Sequence, residues 1–189
     1  VSESRGLGDV YKRQMFMRSP YVIPEIISGE VDEDTLGGAT HHASRSGVAC
    51  MVSESESGAF DIAAEILSFL PDHTMAEPPR LSTGDKWKRK CKGMGKLVPL
   101  DSDRPYDMRE VLAEVVDDKR FLELFPSYAQ NVVVGFARLD GVPVGMVANQ
   151  PSVLAGCLDI DASVKAARFI RTCDSVSYTH LRAHETQTH

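Results

Sequence analysis

The sequence is poor in the features that reveal a function through composition alone. Its four cysteines, Cys50, Cys91, Cys157 and Cys173, are spread over 189 residues and none falls at CxxC spacing. A disulfide-dense scaffold and a thiolate zinc module are thereby excluded, and the four read as reduced thiols in structural positions. Long apolar runs are also missing. None approaches the ~20 residues that cross a bilayer, and no signal-peptide core follows the N-terminus. A cytoplasmic protein without membrane contact is expected. Positive charge is in deficit, with a net charge of −6, so neither nucleic acid nor an anionic membrane is an expected partner. The length fits one domain or pieces of two.

The stretch that organises the rest is NVVVGFARLDGVPVGMVANQPSVLAGCLDIDASVKAARFIRTCD, residues 131–174. Two Val-rich runs meet at Asp140-Gly141, a pairing suited to a type I′ turn because both central residues need positive φ. Pro143, close after the turn, cannot donate to a ladder and belongs at an edge or a non-bonded position. From Asp161 to Cys173 the spacing predicts a helix. Ala162, Ala166, Phe169, Ile170 and Cys173 share one face, and Lys165, Arg168, Arg171 and Thr172 fall off it. Asp159 and Asp161 at its start and Arg168 and Arg171 near its end suit the helix dipole. The bend between hairpin and helix, Asn149 to Gly156, offers backbone amides and carbonyls at a sheet edge, where open α/β folds place ligands.

Upstream, residues 59–70 predict a second helix with a stripe of Ile62, Ile66, Phe69 and Leu70, ended by Pro71. Val48 to Val52 reads as a short buried strand. Leu36-Gly37-Gly38-Ala39 either lets backbone approach a ligand or forms a turn that needs glycine. His41-His42 follows directly; adjacent histidines point apart, which speaks against a joint metal site. Residues 71–105 hold five prolines and no helical or strand period, as a linker does. Inside it, Lys86 to Lys92 surrounds the lone tryptophan, Trp87. A basic run with an aromatic suggests a grip on nucleic acid or an anionic cofactor tail, but the acidic chain favours a solvated loop. Asp107 opens a further helix with capping-box spacing to Glu110 and an apolar face of Met108, Val111, Leu112 and Val115. Phe121 to Phe125 forms a short apolar segment that stops at Pro126.

The two ends differ from the rest. Residues 1–14 and 175–189 carry no sustained core pattern, and VYKRQ and VSYTHLRAHET resemble translated sequencing-adapter read-through. Both ends are expected to be non-native and outside the fold. The i,i+4 pair His180 and His184 is accordingly not read as a zinc site.

RPYDMREVL (104–112), FLELFPSYAQNVVVGFARLDGVPVGMVANQP (121–151) and GCLDIDASVKAARFIRTCD (156–174) resemble the carboxyltransferase subunit of biotin-dependent acyl-CoA carboxylases. Within that family the likeness is greatest to the propionyl-CoA carboxylase β chain. SGEVDEDTLGGATHHASRSGVA (28–49) agrees with the family's N-terminal motif. Cys50 departs from it where histidine is more frequent, and the basic Lys86 to Lys92 run departs from a linker that is usually acidic or proline-rich. The resemblance covers roughly residues 18–174.

It implies an α/β fold, partial ClpP/crotonase-like, with parts of two ββα-spiral domains. Residues 15–80 would end the N-terminal domain, 81–100 would be a linker, and 101–174 would begin the C-terminal domain. The chain would be an internal fragment, inactive alone, with the hairpin and the 161–173 helix incompletely covered and prone to aggregate. The implied reaction moves a carboxyl group from carboxybiotin, held on a carrier domain of another chain, to the α-carbon of an acyl-CoA, with propionyl-CoA favoured by likeness. No side-chain general base is required, and backbone N–H groups of glycine-rich loops outside 15–174 would hold the developing oxyanions. This chain would supply supporting walls. Gly37, Gly38 and Ala39 would lie on the acyl-CoA side, and Asn149, Gln150, Pro151 and Gly156 on the biotin side, with no catalytic or metal-binding residue. Implied partners are the biotin carboxylase/biotin carrier α subunit and further copies in a homo-oligomer. Three other readings stand beside this one: a non-catalytic structural or assembly fragment, a methylmalonyl-CoA decarboxylase-type carboxyltransferase, and a crotonase-type hydratase or isomerase with Glu25 as acid/base.

Overall fold

The computed structural model describes residues 33–73, 76–86, 88–101, 104–176 and 180–183. The expectations placed on residues 1–14, on Glu25, on Trp87 and on His184 lie outside these. In chain order the elements are α1 (Glu33–Gly37), α2 (Ala39–Ser44), α3 (Glu56–Leu67), α4 (Met94–Leu97), α5 (Met108–Val115), β1 (Leu122–Leu124), β2 (Val132–Leu139), β3 (Val142–Asn149), α6 (Ile160–Ser175) and β4 (His180–Ala183). The strands form one sheet in the order β1-β2-β3-β4, antiparallel except for the parallel β3–β4 pair.

The expected hairpin is present. Leu139 pairs with Val142 across Asp140 and Gly141, whose φ values of 52° and 76° are both positive, as a type I′ turn requires. Pro143 stands opposite Arg138, and pairing of β3 with β4 begins only at Gly145, so its missing donor falls before the parallel ladder starts.

Alternation along β2 sends side chains to two separate cores. Val132, Val134 and Phe136 join Val147, Leu124 and the α6 residues Ala162, Phe169 and Cys173 on one face. Val133 and Ala137 join Val144, Met146 and Ala148 against Met108, Leu112 and Val116 of the α5 region on the other. Each large apolar side chain so buried contributes at most about 1.5–3 kcal/mol. The expectation of incomplete cover is corrected for the hairpin: both its faces are covered, one by α6 and one by α5.

Local chemistry explains the helix starts. Asp159 accepts a hydrogen bond from Ala162 N at 2.8 Å, Asp107 from Arg109 N at 2.8 Å and Ser55 from Gly58 N at 3.1 Å, each satisfying an orphan donor of the first turn. Asp107 thus caps α5, through Arg109 N and not through the Glu110 N that capping-box spacing predicted. Arg109 then binds Glu123 of β1 bidentately, at 2.6 and 2.8 Å, tying α5 to the sheet.

Several expectations need revision. Residues 48–52 form no strand, and Val48 and Val52 are exposed; this segment joins its neighbour through Phe125 N donating to Cys50 O at 2.9 Å. Helix α3 contains no buried residue, and the segment is anchored by Phe69 just beyond it, with Ile66 and Leu70 alongside. Val115, expected on the apolar face of α5, is exposed. Helix α6 runs on to Ser175, so Arg168 and Arg171 fall short of its last turn, which holds no basic residue. Lys165 is not off the packed face but buried in it. The tail, set aside as lying outside the fold, places His180–Ala183 beside β3.

The linker is also more ordered than a solvated loop. Arg89 donates to the carbonyls of Glu114 (2.7 Å), Val116 (2.8 Å) and Val115 (3.3 Å), covering the free acceptors at the C-terminal end of α5 where a cation is favoured.

Candidate functional site

The bend from Asn149 to Cys157 leaves β3 and delivers the chain to α6. Its backbone is unusual. Leu154, Ala155 and Gly156 have φ of 50°, 52° and 72° in succession. For Leu154 and Ala155 the left-handed region costs roughly 1–2 kcal/mol each. Strain of this kind persists where the surroundings over-determine it, and it clusters at ligand clamps and active sites.

Those surroundings are a network of amides. Asn149 Nδ2 donates to Gly156 O at 3.0 Å, closing the bend on itself. Within it Val153 N donates to Gln150 O, Gly156 N to Val153 O and Cys157 N to Leu154 O, at 2.9–3.0 Å. Buried Asn131, one residue before β2, holds both ends: its carbonyl accepts from Gln150 N at 2.9 Å and its Nδ2 donates to Cys157 O at 2.7 Å. Asp159, beside the bend, is held below the usual carboxylate range by the Ala162 N–H and then by the Asn131 amide.

The predicted residues divide by role. Gln150 is fully buried; its Oε1 accepts from Met108 N at 2.9 Å and its Nε2 donates to Asp107 Oδ1 at 2.6 Å. Both ends of its amide are committed to the start of α5. Asn149 is half-buried and spends its side chain on Gly156. Pro151 opens the turn, and Gly156, buried, completes the left-handed run. On the other side, Gly37 ends α1 and Gly38 precedes α2, both buried, with Ala39 half-buried. Gly38 has φ −67° and ψ 157°, which any residue adopts, so the turn itself does not demand glycine there. His42 N donates to Gly38 O at 3.1 Å, and the His42 ring meets Ser46 Oγ at 2.9 Å. The structure assembles Asn149, Gln150 and Gly156 into one bend and places Gly37–Ala39 in a separate helix-to-helix junction.

Two clefts among the described residues lie elsewhere. One of about 190 Å³ is lined by Glu65, Phe69, Thr83, Asp117, Arg120 and Arg138, and one of about 200 Å³ by Lys86, Arg89, Cys91, Val115, Asp117 and Asp140. Neither includes a predicted site residue. Among the described residues, no group of three His, Cys, Asp or Glu side chains is placed to hold a metal, and no helix is long and apolar enough to cross a membrane.

Sequence reasoning missed a polar stripe on α6. Asp161, Lys165 and Arg168 lie at i, i+4 and i+7, one side of a helix. Asp161 accepts from the Tyr128 hydroxyl at 3.0 Å, and burial, reinforced by that contact, pushes the phenol upward. Arg168 reaches Gly47 O at 2.7 Å. Lys165, 2% exposed, donates to the carbonyls of Val132 (2.7 Å), Tyr128 (2.8 Å), Phe125 (2.9 Å) and Ala129 (3.3 Å). Burial pushes its ammonium down to about 8, with Glu123 pulling it back up. Four facing carbonyls and no bonded acid favour the protonated form, which alone has three donors to share. No sequence signal distinguishes this lysine from a solvated one.

The hairpin, the strained bend and the helix that follows form a ββα unit of the crotonase-like carboxyltransferase type, and the chain belongs to the carboxyl transferase domain family, whose model matches residues 9–178. The methylmalonyl-CoA decarboxylase subunit alpha of Veillonella parvula is 45% identical over 162 residues, 86% of this chain and 32% of that protein. The propionyl-CoA carboxylase carboxyltransferase subunit of Haloferax mediterranei is 47% identical over 161 residues, 85% and 31% respectively. The chain therefore spans about a third of the length of these relatives. Among solved structures, transcarboxylase 12S with methylmalonyl-CoA and methylmalonic acid bound superposes with a TM-score of 0.87 at 40% identity, covering 91% of this chain and 33% of that one. A single-chain, multi-domain long-chain acyl-CoA carboxylase gives 0.71 at 26% identity, covering 88% and 16%.

Proposed function

We propose that this chain is part of a carboxyltransferase subunit that moves a carboxyl group between biotin, carried on another polypeptide, and the α-carbon of a short acyl-CoA. Membership of the carboxyl transferase domain family over residues 9–178 carries the reading. Propionyl-CoA and its carboxylation product methylmalonyl-CoA are favoured because the Veillonella parvula and Haloferax mediterranei relatives, and the ligand of transcarboxylase 12S, concern that pair.

On this reading, residues 15–80 end an N-terminal crotonase-like domain, 81–100 link it to the next, and 101–174 begin the C-terminal one. Gly37, Gly38 and Ala39 line the acyl-CoA side. Asn149, Pro151 and Gly156 present the biotin side, whose backbone is held in shape by Gln150 from within. The bound carrier supplies the carboxyl group. The chain's own residues shape a wall and hold backbone dipoles in place, which is how a preorganised site acts without a side-chain base. Partners are a biotin carboxylase/carrier subunit and further copies of the carboxyltransferase; the solved transcarboxylase 12S is itself described as a hexamer assembly.

The decarboxylase reading is kept open by one observation: 45% and 47% identity do not separate the two named activities. Both need the same carboxyl exchange. The test is transfer of the carboxyl group of methylmalonyl-CoA to free biotin by the full-length subunit. Biotin-dependent formation of propionyl-CoA is expected. Enoyl-CoA hydration without any biotin-dependent exchange would overturn the proposal in favour of a hydratase.

A further inference from the structure

Among the described residues the most unusual buried group is Lys165, and its contacts lead to the candidate bend. Its Nζ faces four carbonyls, all between Phe125 and Val132. An ammonium has three hydrogens for these four acceptors, and the longest contact, 3.3 Å to Ala129, is the shared one. The loop so gathered contains two residues of positive φ, Phe125 and Ala129, conformations that need external support. It ends at Asn131, which grips Gln150 through its carbonyl and Cys157 through its amide.

The linkage is continuous, from the ammonium to Val132 O, from the neighbouring Asn131 to both ends of the bend, and from Asn149 to Gly156 inside it. We propose that Lys165 is a positioning residue for the biotin side of the site, holding the 125–132 loop so that Asn131 fixes the left-handed backbone of Leu154 to Gly156. This rests on the reading of Asn149–Gly156 as the biotin side. A lysine that served only to fill the core would leave the bend indifferent to its loss.

Hydrogen exchange on the 189-residue chain separates these. In Lys165→Met, the amides of Gln150, Val153, Gly156 and Cys157 should exchange about tenfold faster while those of Val134 and Met146 stay protected, since local opening is distinct from global unfolding. A uniform rise over the sheet, or no change at the bend, would overturn the assignment. Asn131→Asp keeps the shape and removes the amide donor that serves both Cys157 O and Asp159. Within the bend it should release Gly156 and Cys157 and leave Gln150 and Val153 protected, so the linkage is tested even if Lys165→Met does not fold; an unchanged bend there would break the chain of contacts. In the full-length subunit, Lys165→Met should raise the KM for free biotin about tenfold and leave the KM for methylmalonyl-CoA unchanged, as expected of lost preorganisation at one partner's side. Equal changes in both would overturn the assignment to the biotin side. Absence of biotin-dependent exchange in the unaltered subunit would refute the functional reading instead, with the positioning role still decided by exchange.

Discussion

Helices α3 and α6 are both amphipathic, and both deliver a phenylalanine to the same core. Phe169 of α6 lies against Phe136 with ring centroids 5.2 Å apart, and Phe69, just beyond α3, stacks on the same ring at 5.6 Å. There the likeness stops. Helix α6 lies along the sheet, buries Ala162, Lys165, Phe169 and Cys173, and adds a stripe of polar contacts to the loop before β2. Helix α3 buries nothing along its own length and touches the core only at its C-terminal end, where Arg120 also meets Glu65 at 2.8 Å and Arg138 covers the Phe69 ring. Its outer side leaves Phe60 and Leu67 67% and 64% exposed. An apolar face stabilises a helix only when a surface of matching shape is present. The region from Met108 to Ser175 contains such surfaces on both sides of its sheet, and the α3 region does not.

That contrast is open to direct measurement. Phe169→Ala should cost about 3–5 kcal/mol in denaturant unfolding, as for a buried aromatic; a loss under 1 kcal/mol would mean that α6 is no better packed than α3. Gly47→Ala should cost about 2–3 kcal/mol, because φ is +61° there and an added Cβ would stand 2.6 Å from the Tyr128 ring, combining backbone strain with overpacking. Alkali should also single out the α6 face. Burial pushes the Cys173 thiol up to about 11 from an ordinary 9.0, so the folded protein keeps a proton that the unfolded chain has released. The stability this gives is fully present below pH 9 and is lost as pH rises towards 11. Cys173→Ala should therefore melt with a shallower alkaline decline than the unaltered protein, and parallel declines would show that the thiol is not enclosed. Tyr128→Phe removes one hydrogen bond to Asp161 and should cost about 1 kcal/mol. Phe60→Ser on the outer side of α3 should stay within about 0.5 kcal/mol, as exposed positions do. A larger loss there would reveal a partner for that face.

Much of the better-packed region was legible because its signals are local. Asp140-Gly141 sets a turn by its own φ requirements, Asp107 and Asp159 cap the helices that follow them, and the alternation from Val132 to Leu139 belongs to a strand. The misreadings share a different cause. Lys165 was placed off the apolar face of α6 because a charge is assumed to seek water; the carbonyls that receive it come from a loop 33 to 40 residues earlier in the chain, which no window on the helix contains. Arg89 was lost in a basic run for the same reason, since its acceptors are the free carbonyls of a helix end. Val48 to Val52 has a strand's composition but no neighbouring ladder. Of the candidate site, the span Asn149 to Gly156 was found from its place after a hairpin. Its left-handed residues Leu154 and Ala155 carry no glycine or asparagine that would have marked them, and the scaffolding role of Gln150 depends on a helix start more than forty residues away.

The tip of the β2–β3 hairpin has a practical consequence. Reverse turns at the surface are the usual places to insert an epitope, a fluorophore loop or a new chain terminus. This one is occupied from three directions: Leu81 N donates to Gly141 O at 3.0 Å, Asp117 accepts from Gly141 N at 2.7 Å, and Arg80 binds Asp140. A side chain at Gly141 would run into the Leu81 carbonyl. An insertion there would detach the linker from the sheet, whereas a side chain introduced at Gly95 meets nothing within 4 Å, which leaves room there for a side-chain label.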